Sequence, residues 1–352
     1  MKQKPLTHGG DWVGFEEEYG FMPLDLSANV SPFGVPEGVK KAIAEAAERA
    51  DLYPDPLCRS LRASLSEHSG LPAAHILCGN GAADIIFRLA LAKRPKKALV
   101  LAPTFSEYRT AMEAVQCEVK TYLLKEERDF RVGEDILDAI GEDIDIVFLC
   151  EPNNPTGLSD SEAFLAKILS RVEEIGGILF IDECFHDFLT EPEVGSMIPY
   201  VETHPSLIVL KAFTKMYGMA GVRLGYCLCS DEELLQKMLD RGQPWSVSSL
   251  AQAAGIAAVG ETAYVEHVRA HMDRERPRLM EGLRNFGFRV VPGEANYLLF
   301  RAPADLAEKL RRKGVVIRSC SNYDGLDENW FRSAVRTEEE TDRLLAAIKE
   351  VL

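Results

Sequence analysis

From residue 75 to about 230 the chain alternates between short, unbroken apolar runs and longer segments whose apolar positions recur at helical spacing. The runs fall at 75–78, 98–101, 118–124, 144–150, 178–182, 206–211 and 224–229, and helical patterns over 82–93, 106–115, 133–141 and 160–175 fill the gaps. Strand and helix alternating with short connections predict an α/β fold: a mostly parallel seven-stranded sheet flanked by helices on both faces. The flanks read differently. Residues 1–35 are broken by Gly9-Gly10, Pro23, Pro32 and Pro36, which predicts an irregular arm lying on something else. Helices are expected at about 37–50 and 57–69, and a long helical region at 250–286. Strand-like pieces at 288–291, 296–301, 314–318 and 330–335, with helices at 303–313 and 337–351, predict a smaller α+β C-terminal domain packed with the arm. The expected division is 1–48 for the arm and first helix, 49–255 for a large ligand-binding domain and 256–352 for the small one.

Length agrees, since 352 residues exceed one hydrophobic core. Composition then narrows the partners. A net charge of −15 argues against nucleic acid and anionic membrane surfaces. No apolar run reaches membrane-spanning length and the start, Met-Lys-Gln-Lys-Pro, has no apolar signal core, so a cytoplasmic protein is expected. The eight cysteines lie scattered in apolar segments without metal-ligand spacing, which predicts reduced, buried thiols and no metal site. An anion can then be held only by locally placed arginines and backbone amides.

In a parallel sheet, ligands collect outside the carboxyl ends of the strands. The richest such end is Ala212-Phe213-Thr214-Lys215, after the run Ser206-Leu207-Ile208-Val209-Leu210, with Arg223 eight residues on. A lysine desolvated at a strand end and near a second cation is a nucleophile for a Schiff base. Thr214 and Arg223 are a hydroxyl donor and a charged fork suited to phosphate. Schiff base plus phosphate points to pyridoxal 5′-phosphate. Four other strand ends meet its remaining needs. Gly81-Ala82-Ala83 opens a helix whose amides can cradle the phosphate. Phe105 can stack on a flat heteroaromatic ring. Asn154, held before Pro155, can donate to a ring oxygen. Asp182 ends an apolar strand, where a carboxylate is costly without a cation, and a protonated pyridine nitrogen supplies one. Taken singly each is an ordinary turn, cap or core residue; together they fit one cofactor.

On these residues the chain resembles the fold-type I pyridoxal-phosphate enzymes, aminotransferase class I/II, over nearly its whole length. The resemblance implies that Ala82, Ala83, Thr214 and Arg223 hold the cofactor phosphate and that Lys215 is the Schiff-base lysine. It further implies a homodimer, in which Tyr53 of Leu52-Tyr53-Pro54-Asp55 reaches the neighbour's cofactor phosphate.

Two groups within the class compete, histidinol-phosphate aminotransferases and the L-threonine O-3-phosphate decarboxylases of cobalamin biosynthesis. The openings Thr7-His8-Gly9-Gly10-Asp11 and Asp25-Leu26-Ser27-Ala28-Asn29, and the endings Ile317-Arg318-Ser319-Cys320-Ser321-Asn322-Tyr323 and Phe331-Arg332-Ser333-Ala334-Val335-Arg336, resemble the decarboxylases. Phe185 stands where the aminotransferases usually carry a tyrosine, and Arg336 where a glycine is usual. The resemblance implies that Arg318, Arg332 and Arg336, with His8 and Asn29 from the arm, bind a phosphorylated amino acid. It implies decarboxylation of L-threonine O-3-phosphate to aminopropanol phosphate, with Lys215 and Asp182 in the chemistry. Phosphoserine decarboxylation and transamination of histidinol phosphate remain open, because the same residues serve all three.

Overall fold

The computed structural model describes residues 8–352; Thr7, at the head of the arm's motif, and the residues before it lie outside the described residues. The arm contributes a two-residue strand, β1 (Leu24–Asp25), parallel to β11 (Val315–Val316). The central sheet comprises β2 (Ile76–Gly79), β3 (Lys97–Ala102), β4 (Glu118–Leu123), β5 (Ile146–Cys150), β6 (Ile178–Asp182), β7 (Leu207–Ala212) and β8 (Gly225–Leu228). All seven expected strands are present, in the order β2-β8-β7-β6-β5-β3-β4. Only β8 runs against its neighbours, antiparallel to both β2 and β7.

Interior β5, β6 and β7 are buried along their whole length, whereas edge strand β4, Glu-Val-Lys-Thr-Tyr-Leu, is largely exposed. Alternate residues feed two cores. Leu179, Ile181 and Val209 pack on one face of the sheet, and Phe148, Phe180 and Leu210 on the other. A second sheet, of β9 (Arg289–Val290), β10 (Tyr297–Arg301), β12 (Arg318–Ser319) and β13 (Trp330–Ala334), is antiparallel throughout, in the order β12-β13-β10-β9. Its apolar face, Leu298, Phe300 and Phe331, packs with Met272, Leu279 and Leu283 of the helix Thr262–Asn285.

Several expectations need correction. The arm is not wholly irregular: Asp11 caps a helix over Trp12–Tyr19 by accepting from the Gly14 amide at 3.1 Å. The long region at 250–286 is two helices, Ser249–Val259 and Thr262–Asn285, interrupted at Gly260-Glu261. The helical pattern at 133–141 yields only Ile136–Ala139. A helix over Glu232–Asp240, capped by the Asp231 side chain on the Leu234 amide, went unpredicted.

Beyond β1 the arm threads between the sheets. Leu26 donates its amide to Val316 O at 2.8 Å and accepts from Ala334 N at 2.8 Å, and Ser31 N donates to Lys215 O at 2.9 Å. The arm therefore joins the C-terminal sheet to the lysine-bearing turn of the central one.

Candidate active site

The five singled-out segments follow the carboxyl ends of β2, β3, β5, β6 and β7. Lys215 sits on a single helical turn, Phe213–Met216, that follows β7 directly. Its ammonium is pushed down to about 8, chiefly by desolvation and then by the nearby Arg332 guanidinium. The Nζ lies 5.4 Å from the centre of the Phe185 ring, which offers it a π face and no hydroxyl. Phe185 is itself held edge-on against Tyr297, ring centres 4.9 Å apart.

Asp182 ends β6, with 4% of its surface exposed. Its Oδ1 accepts from the Cys184 amide at 2.9 Å and its Oδ2 from the Tyr108 hydroxyl at 2.7 Å. Burial still raises the carboxyl above its ordinary range despite those two bonds. Such a group gains most from a bound cation. Tyr108 was not singled out from the sequence. It stands in the first turn of the helix Glu107–Ala114, just after Phe105 in the loop ahead of it, and the two rings pack edge-on at 5.5 Å. Removing the hydroxyl in Tyr108→Phe leaves Asp182 one charge-assisted bond short. The expected result is an about tenfold loss in kcat/KM and weaker cofactor retention, with an unchanged circular dichroism spectrum. Retention and kinetics equal to the parent would show the bond to be idle.

The phosphate cradle is built at the start of the helix Ala82–Lys93. Gly81 is its N-cap, at φ +85°, and no side chain caps the first amides. A Cβ there would come within 2.5 Å of Arg223 Nη2, so glycine is what lets the guanidinium lie against the helix start. Arg223 is anchored by its Nη1 bond to Ala220 O at 3.1 Å. Open helix amides beside an arginine fork have the chemistry of an anion site.

Asn154 and Arg332 meet directly: Arg332 Nη1 donates to Asn154 Oδ1. With its oxygen so engaged, Asn154 has its amide nitrogen left for a ligand's acceptor. Arg332, on β13, also donates through Nη2 to Ser27 O at 2.9 Å, while its buried Nε has no partner among the described residues. Asn29 is 2% exposed, and both polar atoms of its side chain have no partner among the described residues. Two buried polar groups without partners on one arm-to-sheet seam leave donors and an acceptor for a polar ligand.

The remaining expected residues take distinct places. Arg318, on β12, donates to Asn322 Oδ1 at 2.6 Å and lies over the Tyr323 ring. His8 is bonded to Glu107 at 2.8 Å, with its ring 5.8 Å from that of Phe105. Phe105, Thr104, Arg109 and Tyr323 line a small cavity of about 110 Å³ at this mouth. Arg336 is not joined to the Arg332 group; its guanidinium pairs with Glu340 at 3.1 Å, one turn along the last helix. Tyr53 is 80% exposed and leans on Trp245, ring centres 4.6 Å apart.

The residues present fit pyridoxal 5′-phosphate. The buried carboxylate of raised pKa, the open cradle, the lysine of lowered pKa and the Asn154 amide nitrogen answer its pyridine nitrogen, phosphate, aldehyde and ring oxygen in turn.

Comparison with known proteins bears on the same reading. The aminotransferase class I and II family model matches residues 22–348. A threonine-phosphate decarboxylase of Salmonella typhimurium is 36% identical over 353 residues, covering 98% of this chain and 96% of that protein. A histidinol-phosphate aminotransferase of Bacillus subtilis is 30% identical over 363 residues, covering 100% of this chain and 98% of its own. The crystal structure of the histidinol-phosphate aminotransferase from Clostridium acetobutylicum superposes with a TM-score of 0.87 at 29% identity, covering 93% of this chain and 98% of that one.

Proposed function

From the premise that this chain belongs to the aminotransferase class I and II family, we propose that it decarboxylates L-threonine O-3-phosphate, with pyridoxal 5′-phosphate as cofactor, to give (R)-1-aminopropan-2-yl phosphate for cobamide synthesis. The observation that carries this reading is the meeting of Lys215, Asp182, Asn154 and Arg332 at one sheet edge. Arg318 and the unpartnered Asn29 amide extend that group toward a second anion. The reaction type leans on the 36% identical relative, which bears the name threonine-phosphate decarboxylase.

Bound pyridoxal 5′-phosphate supplies an aldehyde that takes up an amine and a cationic ring that draws electrons from the bonds at the amine-bearing carbon. The chain supplies the rest. Gly81, Ala82, Ala83, Thr214 and Arg223 hold the phosphate, Phe105 covers the ring, and Asp182 keeps the countercharge at the ring nitrogen. Arg332 and Arg318 grip carboxylate and phosphate as planar forks, with His8 and Asn29 closing the phosphate side. That grip orients the substrate, and orientation selects which bond at the amine-bearing carbon breaks. Lys215 would deliver a proton to that carbon, or remove one, its amine being lowered to about 8 by burial and by Arg332. Phe185 lends the site no hydroxyl of its own. Arg336 has a weaker claim to the substrate, since Glu340 already holds it.

The proposal includes a homodimer in which Tyr53 reaches the neighbour's cradle. Its support is an exposed apolar group, Leu52, Tyr53, Leu57 and Trp245. No helix among the described residues is long and apolar enough to cross a membrane, and a cytoplasmic location belongs to the same proposal.

Histidinol-phosphate transamination is the second reading, favoured by the 30% identical relative; phosphoserine decarboxylation to ethanolamine phosphate is the third. Incubation with phosphothreonine, phosphoserine or histidinol phosphate, with and without 2-oxoglutarate, separates them by product mass. Carbon dioxide and aminopropanol phosphate formed without an acceptor are expected. A product that requires 2-oxoglutarate would replace the decarboxylase reading with the transferase one.

A further inference from the structure

Tyr323 touches both substrate-facing arginines, by two different kinds of contact. It stands in the turn between β12 and β13, which is closed by Tyr323 N to Cys320 O at 3.0 Å and Leu326 N to Tyr323 O at 3.1 Å. That turn is docked on the central sheet. Asp324 pairs with Arg109 at 3.5 Å, and Gly325, at φ +87°, comes so close that a Cβ would meet Leu123 at 2.8 Å. The Tyr323 ring lies 5.6 Å from the Arg318 guanidinium carbon. Its hydroxyl lies 3.5 Å from Arg332 Nη1 and 3.5 Å from Asn154 Oδ1, accepting from the first and donating to the second. Burial raises the phenol, which keeps that hydroxyl protonated for both contacts.

Two arginines facing one small ligand repel each other and have long, freely rotating stems, so their separation needs an external constraint. We infer that Tyr323 is a positioning residue that sets the distance and angle between the Arg332 and Arg318 forks, and thereby selects substrates by the spacing of their two anionic groups. The inference rests on the proposed role of these arginines as carboxylate and phosphate anchors. The ring constrains Arg318 through its face, and the hydroxyl, which also hydrogen-bonds Arg318, constrains Arg332 and Asn154.

The test compares the holoenzyme with Tyr323→Phe and Tyr323→Leu. Inorganic phosphate affinity is read by calorimetry, and steady-state kinetics are read on phosphothreonine and on O-phosphohomoserine, whose anions are one methylene further apart. Tyr323→Phe keeps the ring face under Arg318 but removes the hydroxyl from both arginines, so phosphate affinity is expected to fall about threefold, less than in the Leu variant, while KM for phosphothreonine rises about fivefold. Tyr323→Leu is expected to weaken phosphate about tenfold and to bring the kcat/KM ratio of the two substrates to within about threefold. Cofactor absorbance and melting temperature should match the parent in both. Parent-like phosphate affinity and selectivity in the Leu variant would overturn the inference, as would a parent enzyme that does not bind phosphate. Should the Leu variant shed its cofactor, the Phe variant decides alone: an unchanged KM overturns the inference. A parent that binds phosphate through Tyr323 yet leaves phosphothreonine untouched would refute the reaction and keep the positioning role.

Discussion

Lys215→Ala is expected to lower turnover by at least about 10⁴-fold, the upper range for a positioned proton-transfer group, and to abolish the visible absorbance of the bound cofactor. In the proposed function this amine is both the covalent tether and the proton carrier, so its removal should abolish both. The fold should survive. The Nζ rests against Phe185 and makes no buried ion pair, and the turn around it is held by backbone bonds such as Ser31 N to Lys215 O. The same environment sets a pH signature. With the amine pushed down to about 8, the apo-protein carries an ammonium below that pH and a nucleophile above it. The rate of cofactor uptake should therefore climb about tenfold per pH unit up to about 8 and level off above it. Arg332 is the second cause of the depression, so Arg332→Leu should move the midpoint upward. Stopped-flow absorbance measures both. A Lys215→Ala protein that keeps the absorbance band, or an uptake rate flat across this range, would remove the lysine from the centre of the chemistry.

Asp182→Asn is the second large effect, with an expected loss of about 10³-fold in kcat/KM, the range for removing one partner of a buried charge pair. The amide is nearly isosteric; its one oxygen keeps the bond from the Cys184 amide and its nitrogen can donate to the Tyr108 oxygen instead of accepting from it, so the site keeps its shape and loses its countercharge. Stability should respond in the opposite sense. In the apo-protein Asp182 is a buried carboxylate raised by desolvation more than the Lys215 charge lowers it, and neutralising it relieves that cost. The apo variant should consequently melt no lower than the apo parent, while its cofactor dissociates far more readily. Equilibrium dialysis against the cofactor and calorimetric melting of the apo-proteins read the two sides separately. Retention of cofactor and rate within about tenfold of the parent would mean that the carboxylate serves the fold alone.

The parts legible without coordinates share a physical origin. Strands buried on both faces must be unbroken apolar runs, so β5, β6 and β7 announce themselves, and each polar residue at a run's end stands out. Lys215, Asp182, Asn154 and Phe105 were visible for that reason. The short helix Trp12–Tyr19 was not, because Gly9, Gly10 and Pro23 around it read as breakers and its cap is a single aspartate. Helix Glu232–Asp240 was missed although Asp231 caps it and its apolar stripe is regular; that signal was present and unread. Arg336 shows the converse. Three arginines near the chain's end read alike, and only the fold assigns one of them to Glu340.

The chain's own pattern determined the sheet, its cofactor-bearing edge and the identity of the lysine, because these depend on local periodicity and on the residue types that end each strand. The tertiary structure decided what stands opposite them. Asn154 meets Arg332 across 178 positions of sequence, Tyr108 meets Asp182 across 74, and Ser27 reaches Arg332 from the arm across 305. Such pairings arise when packing closes loops whose length carries no local signal. Lys215 could therefore be singled out from sequence, whereas the arrangement of Arg318, Arg332 and Tyr323, to which substrate selection is proposed to belong, exists only in the folded chain.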